Sequence, residues 1–271
     1  MAKTIFITGA SKGFGRIWAE AALKRGDKVA GTARNLDDIK DLAEQYKDTF
    51  LALQLDVNNR QQCFDTVKQA EEYLDGIDVL ISNAGYGHFG FIEEIGEDDA
   101  RRQIETNVFG SLWVIQAVIP IMRKQQSGHI LQVSSIGGLV AFPSLGIYHA
   151  SKWAAEGICE SLRQEVQPFN IKVTLIEPGG YSTDWGTVSA SQSQPIDAYQ
   201  PIRDKMQAMQ ANTKAGNPAA TADAILKAID TANPPSRLLL GKGIYNIVEH
   251  AYEERLKTWK DWLATSEEAQ G

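Results

Sequence analysis

The chain is predicted to fold as α/β: a doubly wound parallel sheet in a single domain spanning 1–271. Three observations point there. Apolar strand-like runs alternate with helix-period segments from end to end. The runs are dense in Val, Ile, Leu and Phe, as strands covered on both faces must be. The residues that carry chemistry fall where those runs end, and open parallel sheets bind ligands beyond the carboxyl ends of their strands.

The elements follow in order. A strand over 4–8 enters the loop Gly9-Ala-Ser11-Lys12-Gly13-Phe14-Gly15, and a helix over 14–25 follows, closed by Gly26. Glycines permit a tight turn and close backbone approach, and the helix N-terminus offers free N–H groups to a phosphate. A strand over 28–33 ends at Arg34, and Asp37 and Asp38 are expected to cap and open a helix over 36–46. A strand over 50–56 ends on Asp56-Val57 before a helix over 59–74. The next, 77–82, ends on Asn83-Ala84-Gly85. One long apolar helix is predicted over 98–125; Asn107 lies among its Ile104, Val108, Leu112 and Ile115, where a core-facing amide needs partners. A strand over 129–134 runs into Ser135, and a helix over 147–167 carries Tyr148 and Lys152. A strand over 171–176 precedes Pro178-Gly179. Helices over 201–213 and 218–232, a strand over 237–240 and a helix over 244–263 complete the chain. The apolar stripe of the last helix (Ile244, Val248, Tyr252, Leu256, Trp259, Trp262) must dock on its own domain or a neighbour.

The intervals 148 − 135 = 13 and 152 − 148 = 4 carry the chemistry. Four residues on a helix bring a lysine to the same face as a tyrosine, and a nearby cation is expected to lower the phenol pKa. Ser135, at a strand end, faces that phenol. Ser134 is the alternative, at an interval of 14.

Together these residues resemble the classical short-chain dehydrogenase/reductases. The match comprises Thr8-Gly-Ala-Ser-Lys-Gly-Phe-Gly15, Asp56, Asn83-Ala-Gly85, Asn107, Ser135, Tyr148-x-x-x-Lys152 and Pro178-Gly179 with Thr183, in family order over roughly the first two thirds of the chain. The resemblance implies a Rossmann-type dinucleotide site and the catalytic set Asn107, Ser135, Tyr148 and Lys152. Gly9, Ser11, Lys12, Gly13, Phe14 and Gly15 would then hold the pyrophosphate end, with Asp56 and Val57 at the adenine. Asn83, Ala84 and Gly85 would pass under a ribose, Pro178, Gly179 and Thr183 would meet the nicotinamide, and Tyr148 and Lys152 would also contact the cofactor, Lys152 by holding its ribose. It further implies that Asn107 holds a water linking Lys152 to solvent. Alignment to the family pattern puts Ala33 where NAD users carry a carboxylate, with Arg34 next to it and Lys12 nearby. That combination implies NADP(H), whose 2′-phosphate wants cations.

The implied activity is reversible reduction of a ketone or aldehyde by NADPH. Two alternatives stay open: a dehydrogenase running toward oxidation, and a non-catalytic module that senses NADPH. Tyr86, His88, Phe89, Phe142, Tyr181 and Trp185 suggest an apolar or aromatic carbonyl/alcohol substrate, with His88 not itself a catalyst. The family resemblance also implies a homo-oligomer, dimer or tetramer, through the helices carrying Asn107 and Tyr148. Residues 184–217 are polar and Ser/Gln-rich with one weak helix, and are expected to form a mobile substrate lid.

Net charge −7 and pI about 5.2 argue against a nucleic-acid surface. The start Met-Ala-Lys leads directly into a strand and does not read as a signal peptide. No apolar stretch is expected to cross a bilayer, and a cytoplasmic location is expected. Cys63 and Cys159 fall inside helices as small apolar residues, and the four histidines are scattered without metal-ligand spacing.

Overall fold

The structure, a computed structural model, describes residues 2–186, 190–211 and 214–271. Seven strands form one parallel sheet: β1 Thr4–Ile7, β2 Lys28–Ala33, β3 Phe50–Gln54, β4 Val79–Ser82, β6 Gly128–Val133, β7 Ile171–Pro178 and β9 Arg237–Leu240. Their spatial order is β3-β2-β1-β4-β6-β7-β9, every ladder parallel. The order reverses between β1 and β4, which opens a crevice at their carboxyl ends.

The strand runs are apolar on both faces because both faces are covered. On one face α3 (Arg60–Leu74), α5 (Ser111–Gln125) and α6 (Gly146–Val166) close a core around Phe6, Leu80, Val114, Met122 and Ile130. On the other, α1 (Gly13–Arg25), α2 (Lys40–Gln45) and α8 (Ala222–Asp230) close a second around Ile5, Ile7, Trp18, Leu131 and Ile225. Trp18 is fully packed, and its indole N–H donates to Thr221 Oγ1 at 2.8 Å, pinning α1 to the turn before α8.

Three expectations need correction. The helix over 98–125 is two helices, α4 (Glu97–Ile104) and α5, joined by a π-helical turn over Glu105–Gly110 that contains Asn107. Such widened turns cluster at functional sites. Read as one unit, Glu97–Gln125 is long and apolar enough to cross a bilayer by length and composition, contrary to the sequence reading. Half of its apolar window is buried, and α5 packs on α3 and the sheet as a core helix. The second helix opens as a 3-10 turn capped by Asn35, whose side chain accepts from Asp37 N–H; Asp37 and Asp38 occupy its first turn instead. The last helix, α9 (Ile244–Asp261), docks on its own domain by its start and, farther along, by Arg255, which lies over the Trp153 ring of α6 at 5.0 Å. Ile244 and Val248 meet Ile136 and Val140, whereas Leu256, Trp259 and Trp262 are exposed; α10 (Leu263–Glu268) follows.

The segment expected as a lid is more structured than its polarity suggested. A two-residue strand β8 (Ser191–Gln192) pairs in parallel with β5 (His88–Phe89), and α7 (Gln200–Ala211) follows. Residues 187–189 and 212–213 of that expectation lie outside the described residues.

Candidate active site

The loop after β1 builds one wall of a cleft of about 910 Å³ that runs along the strand carboxyl ends. Gly9 and Gly13 have φ of +69° and +57°, a left-handed backbone that glycine adopts without strain. No side chain caps α1, so its first N–H groups remain available to an anion. Gly15 does not line the cleft. A Cβ there would overlap Gly9 O, so its role is to let α1 pack onto the loop. Thr8 Oγ1 accepts from Asn83 N–H and Ala84 N–H at 2.9 and 3.0 Å, and Asn83 Nδ2 donates to Thr8 O and Gly9 O, both at 3.0 Å. The Asn83 turn therefore braces the glycine loop.

At the β2 end Ala33 is buried, and Arg34 and Lys12 are exposed on the cleft rim. Neither makes a salt bridge among the described residues, whereas nearby Arg16 is tied to Glu20 and Asp41. Asp56 lines the cleft. It does not cap α3, because Asn59 does, accepting from Gln62 N–H at 3.0 Å.

Ser135, Tyr148 and Lys152 converge at the far end. The β6 terminus presents Ser135, whose Oγ accepts from Gly137 N–H at 3.0 Å. The first turn of α6 presents Tyr148, only 6 % exposed. Burial pushes the phenol up to about 12, with the Ser135 hydroxyl acting in the opposite sense. This corrects the expectation of a lowered pKa. Lys152 Nζ lies 5.7 Å from the Tyr148 ring centroid and donates to Val133 O at 2.8 Å. Burial draws the Lys152 ammonium down to about 8, opposed by Glu156 one turn on. Ser134 and Ser135 both line the cleft; Ser134 is buried beside Glu156, and it is the Ser135 hydroxyl that meets Tyr148.

Asn107 sits behind the cleft. Its Oδ1 accepts from Tyr86 N–H at 3.1 Å, and its Nδ2 donates to Tyr86 O at 2.9 Å and Ser151 Oγ at 3.1 Å. The amide thus clamps the segment after β4 and ties it to Ser151 of α6, the residue before Lys152. Pro178, Gly179 and Thr183 line the cleft, as do Val57, Ala84, Gly85, Ser11 and Phe14. Tyr86, Phe89, Tyr181 and Trp185 also face the cleft; His88 and Phe142 do not. Arg102 and Thr106, one helical turn apart in the helix carrying Asn107, line it as well and went unnoticed in the sequence, where their spacing was the available signal.

Under the floor, Arg237 pairs with three carboxylates: Glu156 at 3.0 Å, Glu177 at 3.2 Å, and Glu160. Burial first, then the Glu156 charge, push the Glu177 carboxyl up to about 8. Among the described residues no His/Cys/Asp/Glu group could hold a metal.

The sequence profile of the short chain dehydrogenases matches residues 3–194. The chain belongs to that family of oxidoreductases, whose members use a nicotinamide dinucleotide, NAD(P). It is 40 % identical over 270 residues to the oxidoreductase BOA17 of Botryotinia fuckeliana, covering 98 % of each chain. It is 36 % identical over 245 residues to a 3-ketodihydrosphingosine reductase of Bacteroides thetaiotaomicron, 88 % of this chain and 87 % of the other. A solved short-chain dehydrogenase from Streptomyces avermitilis superimposes with a TM-score of 0.92 at 36 % identity, over 99 % of this chain and 98 % of that one. Two structures at 24 % identity share the fold, from Burkholderia phymatum with NAD (TM-score 0.82, 95 % of each chain) and Burkholderia cenocepacia with NADP (TM-score 0.77, 97 % and 98 %).

Proposed function

We propose that the protein is an NADPH-dependent carbonyl reductase that converts a ketone or aldehyde to the alcohol. The carrying observation is the convergence of Ser135, Tyr148 and Lys152 in one cleft. Tyr148 is the hydroxyl placed to give its proton to a carbonyl oxygen, with Lys152 close by to stabilise the phenolate that results.

The cleft fits a dinucleotide. The positive-φ glycines leave room for a pyrophosphate, and the uncapped start of α1 supplies donors. Asp56 would serve the adenine, Gly85 the ribose, and Thr183 the carboxamide. Lys12 and Arg34, free of salt bridges among the described residues and beside a missing carboxylate, support NADP(H) over NAD(H). The cofactor supplies hydride when bound. Tyr148 Oη donates its proton to the carbonyl oxygen, and Ser135 Oγ donates a hydrogen bond to the same atom. Lys152 stabilises the resulting phenolate through its charge. Phe89, Tyr181 and Trp185 favour an apolar or aryl substrate, and Trp185 lies 4.8 Å from the Tyr148 ring, centroid to centroid.

Self-association is part of the proposal. Phe109 and Trp153 are exposed on the helical segments that carry Asn107 and Tyr148, the faces on which the family pairs its subunits. Light scattering on the purified chain tests it: a dimer or tetramer supports this part and a monomer refutes it. For the activity, purified protein is assayed with NADPH and NADH against ketones, aldehydes, ketoesters and steroids. NADPH oxidation with alcohol formation supports the reading. A preference for NADH overturns the cofactor assignment, and binding of NADPH without turnover across the panel supports the sensing alternative instead.

A further inference from the structure

We infer that His88 is a positioning residue that latches residues 190–203 onto the segment 86–95 and thereby sets the substrate wall over Tyr148. This rests on the reading of the cleft as a carbonyl-reductase site.

The latch is built from one imidazole. His88 is completely buried. Its Nδ1 lies 2.7 Å from Ser191 Oγ and its Nε2 2.7 Å from Ser193 Oγ. Residues 191 and 193 are two apart on an extended strand, so their side chains share a face and one ring can bridge both. Each ring nitrogen meets one hydroxyl, which can donate or accept by rotation, and Asp99 Oδ1 lies 3.9 Å from Nδ1. The backbone ladder adds Ser191 N–H to Gly87 O at 3.0 Å and Ser193 N–H to Phe89 O at 2.8 Å.

The ring hangs from a braced platform. His88 N–H donates to Gln103 Oε1 at 2.8 Å, Gln103 Nε2 donates to Tyr86 O at 3.0 Å, and Asn107 holds both backbone groups of Tyr86. Two glycines allow the close approach: a Cβ at Gly87 would overlap the Trp185 ring, and one at Gly90 would overlap Ser193 Oγ. Farther along, Ile196 N–H donates to Glu94 Oε1 at 2.8 Å, Arg203 pairs with the same carboxylate, and Tyr199 stacks on Phe91 at 4.7 Å. The result reaches the chemistry through Trp185, whose ring packs against Phe89 at 5.4 Å as well as Tyr148. A loop held by His88 keeps that indole over the reactive phenol.

The test uses Ser191→Ala, Ser193→Ala, the double variant and His88→Ala. Three readouts are taken: amide hydrogen exchange over 190–200 in the free protein, NADPH affinity by fluorescence titration, and KM and kcat for a small and a bulky aryl methyl ketone. Each serine variant should speed exchange in 190–200 by about tenfold, the weight of one buried hydrogen bond, and leave NADPH affinity within about twofold. KM for the bulky ketone should rise several-fold more than for the small one. Once both serines are gone, His88→Ala should add nothing further to exchange. His88→Asn and His88→Gln each retain a group that reaches one serine, and should recover part of the protection. Exchange unchanged by the serine substitutions overturns the latch, and so does a loss of NADPH affinity as large as the rise in KM. If His88→Ala does not fold, the serine variants still decide. If wild type reduces neither ketone, the functional reading fails at these substrates while exchange still reports on the latch.

Discussion

Glu177→Gln should flatten the pH dependence of stability. Glu177 is fully buried at the end of β7, immediately before the Pro178 turn, and shares Arg237 with Glu156 and Glu160. Burial, and then the Glu156 charge, raise its carboxyl from 4.5 to about 8. The folded state thus holds a proton that the unfolded chain releases. The stability tied to that proton is complete below about 4.5 and is lost as pH rises toward about 8. Over the window from about pH 6 to about pH 8, linkage assigns the proton shared by the Glu156–Glu177 pair a loss of roughly 2 kcal/mol. At roughly 2–4 °C per kcal/mol for a domain of this size, that is about 5 °C in Tm. Glutamine keeps the shape and removes the titration. Thermal scans of wild type and Glu177→Gln at the two pH values should show the wild type falling by about 5 °C more than the variant. Parallel behaviour would refute the claim that a buried proton sits under this site. A variant that loses more than wild type toward high pH would reverse its sign.

Other outcomes follow from the same geometry. Arg34→Leu should weaken NADPH binding roughly ten- to a hundredfold, the weight of a charged hydrogen bond, and leave NADH binding nearly unchanged; titration of both cofactors checks this, and equal loss of both contradicts it. Gly15→Ala forces a Cβ into Gly9 O and should cost both stability and cofactor affinity, read by Tm and by titration. Lys152→Ala should damage cofactor affinity as well as rate, and an effect on rate alone would remove its ribose contact. Shrinking Trp185 to Ala should alter preference between small and bulky ketones more than NADPH affinity, measured by competition between the two substrates.

Much of the fold was legible because its strands are apolar on both faces, a pattern that surface strands do not show. The motif positions at strand ends then followed from topology alone. The π turn was not legible. Glu105–Gly110 sits inside one continuous apolar period, and nothing in residue type marks the extra residue per turn. Tyr148 was misjudged in sign because helical spacing reports that Lys152 is near and says nothing of burial. In the structure the ammonium is turned to Val133 O, and desolvation wins. The 184–217 segment looked like a loose polar loop because its serines read as solvent-facing. Two of them are instead partners of a buried histidine a hundred residues away. The exposed Trp259 and Trp262 show the same limit from the other side: a stripe predicts docking without naming the surface, and on its own domain the first turns and Arg255 find one.

The central claim is that Tyr148 is the proton donor in NADPH-driven carbonyl reduction. The most direct measurement compares wild type and Tyr148→Phe for NADPH oxidation with a carbonyl that wild type reduces, alongside NADPH affinity by titration. The account predicts a rate lower by ~10²–10⁴-fold in the variant, with affinity and fold intact, because one hydroxyl is lost and nothing else. Near-wild-type reduction by Tyr148→Phe would contradict it.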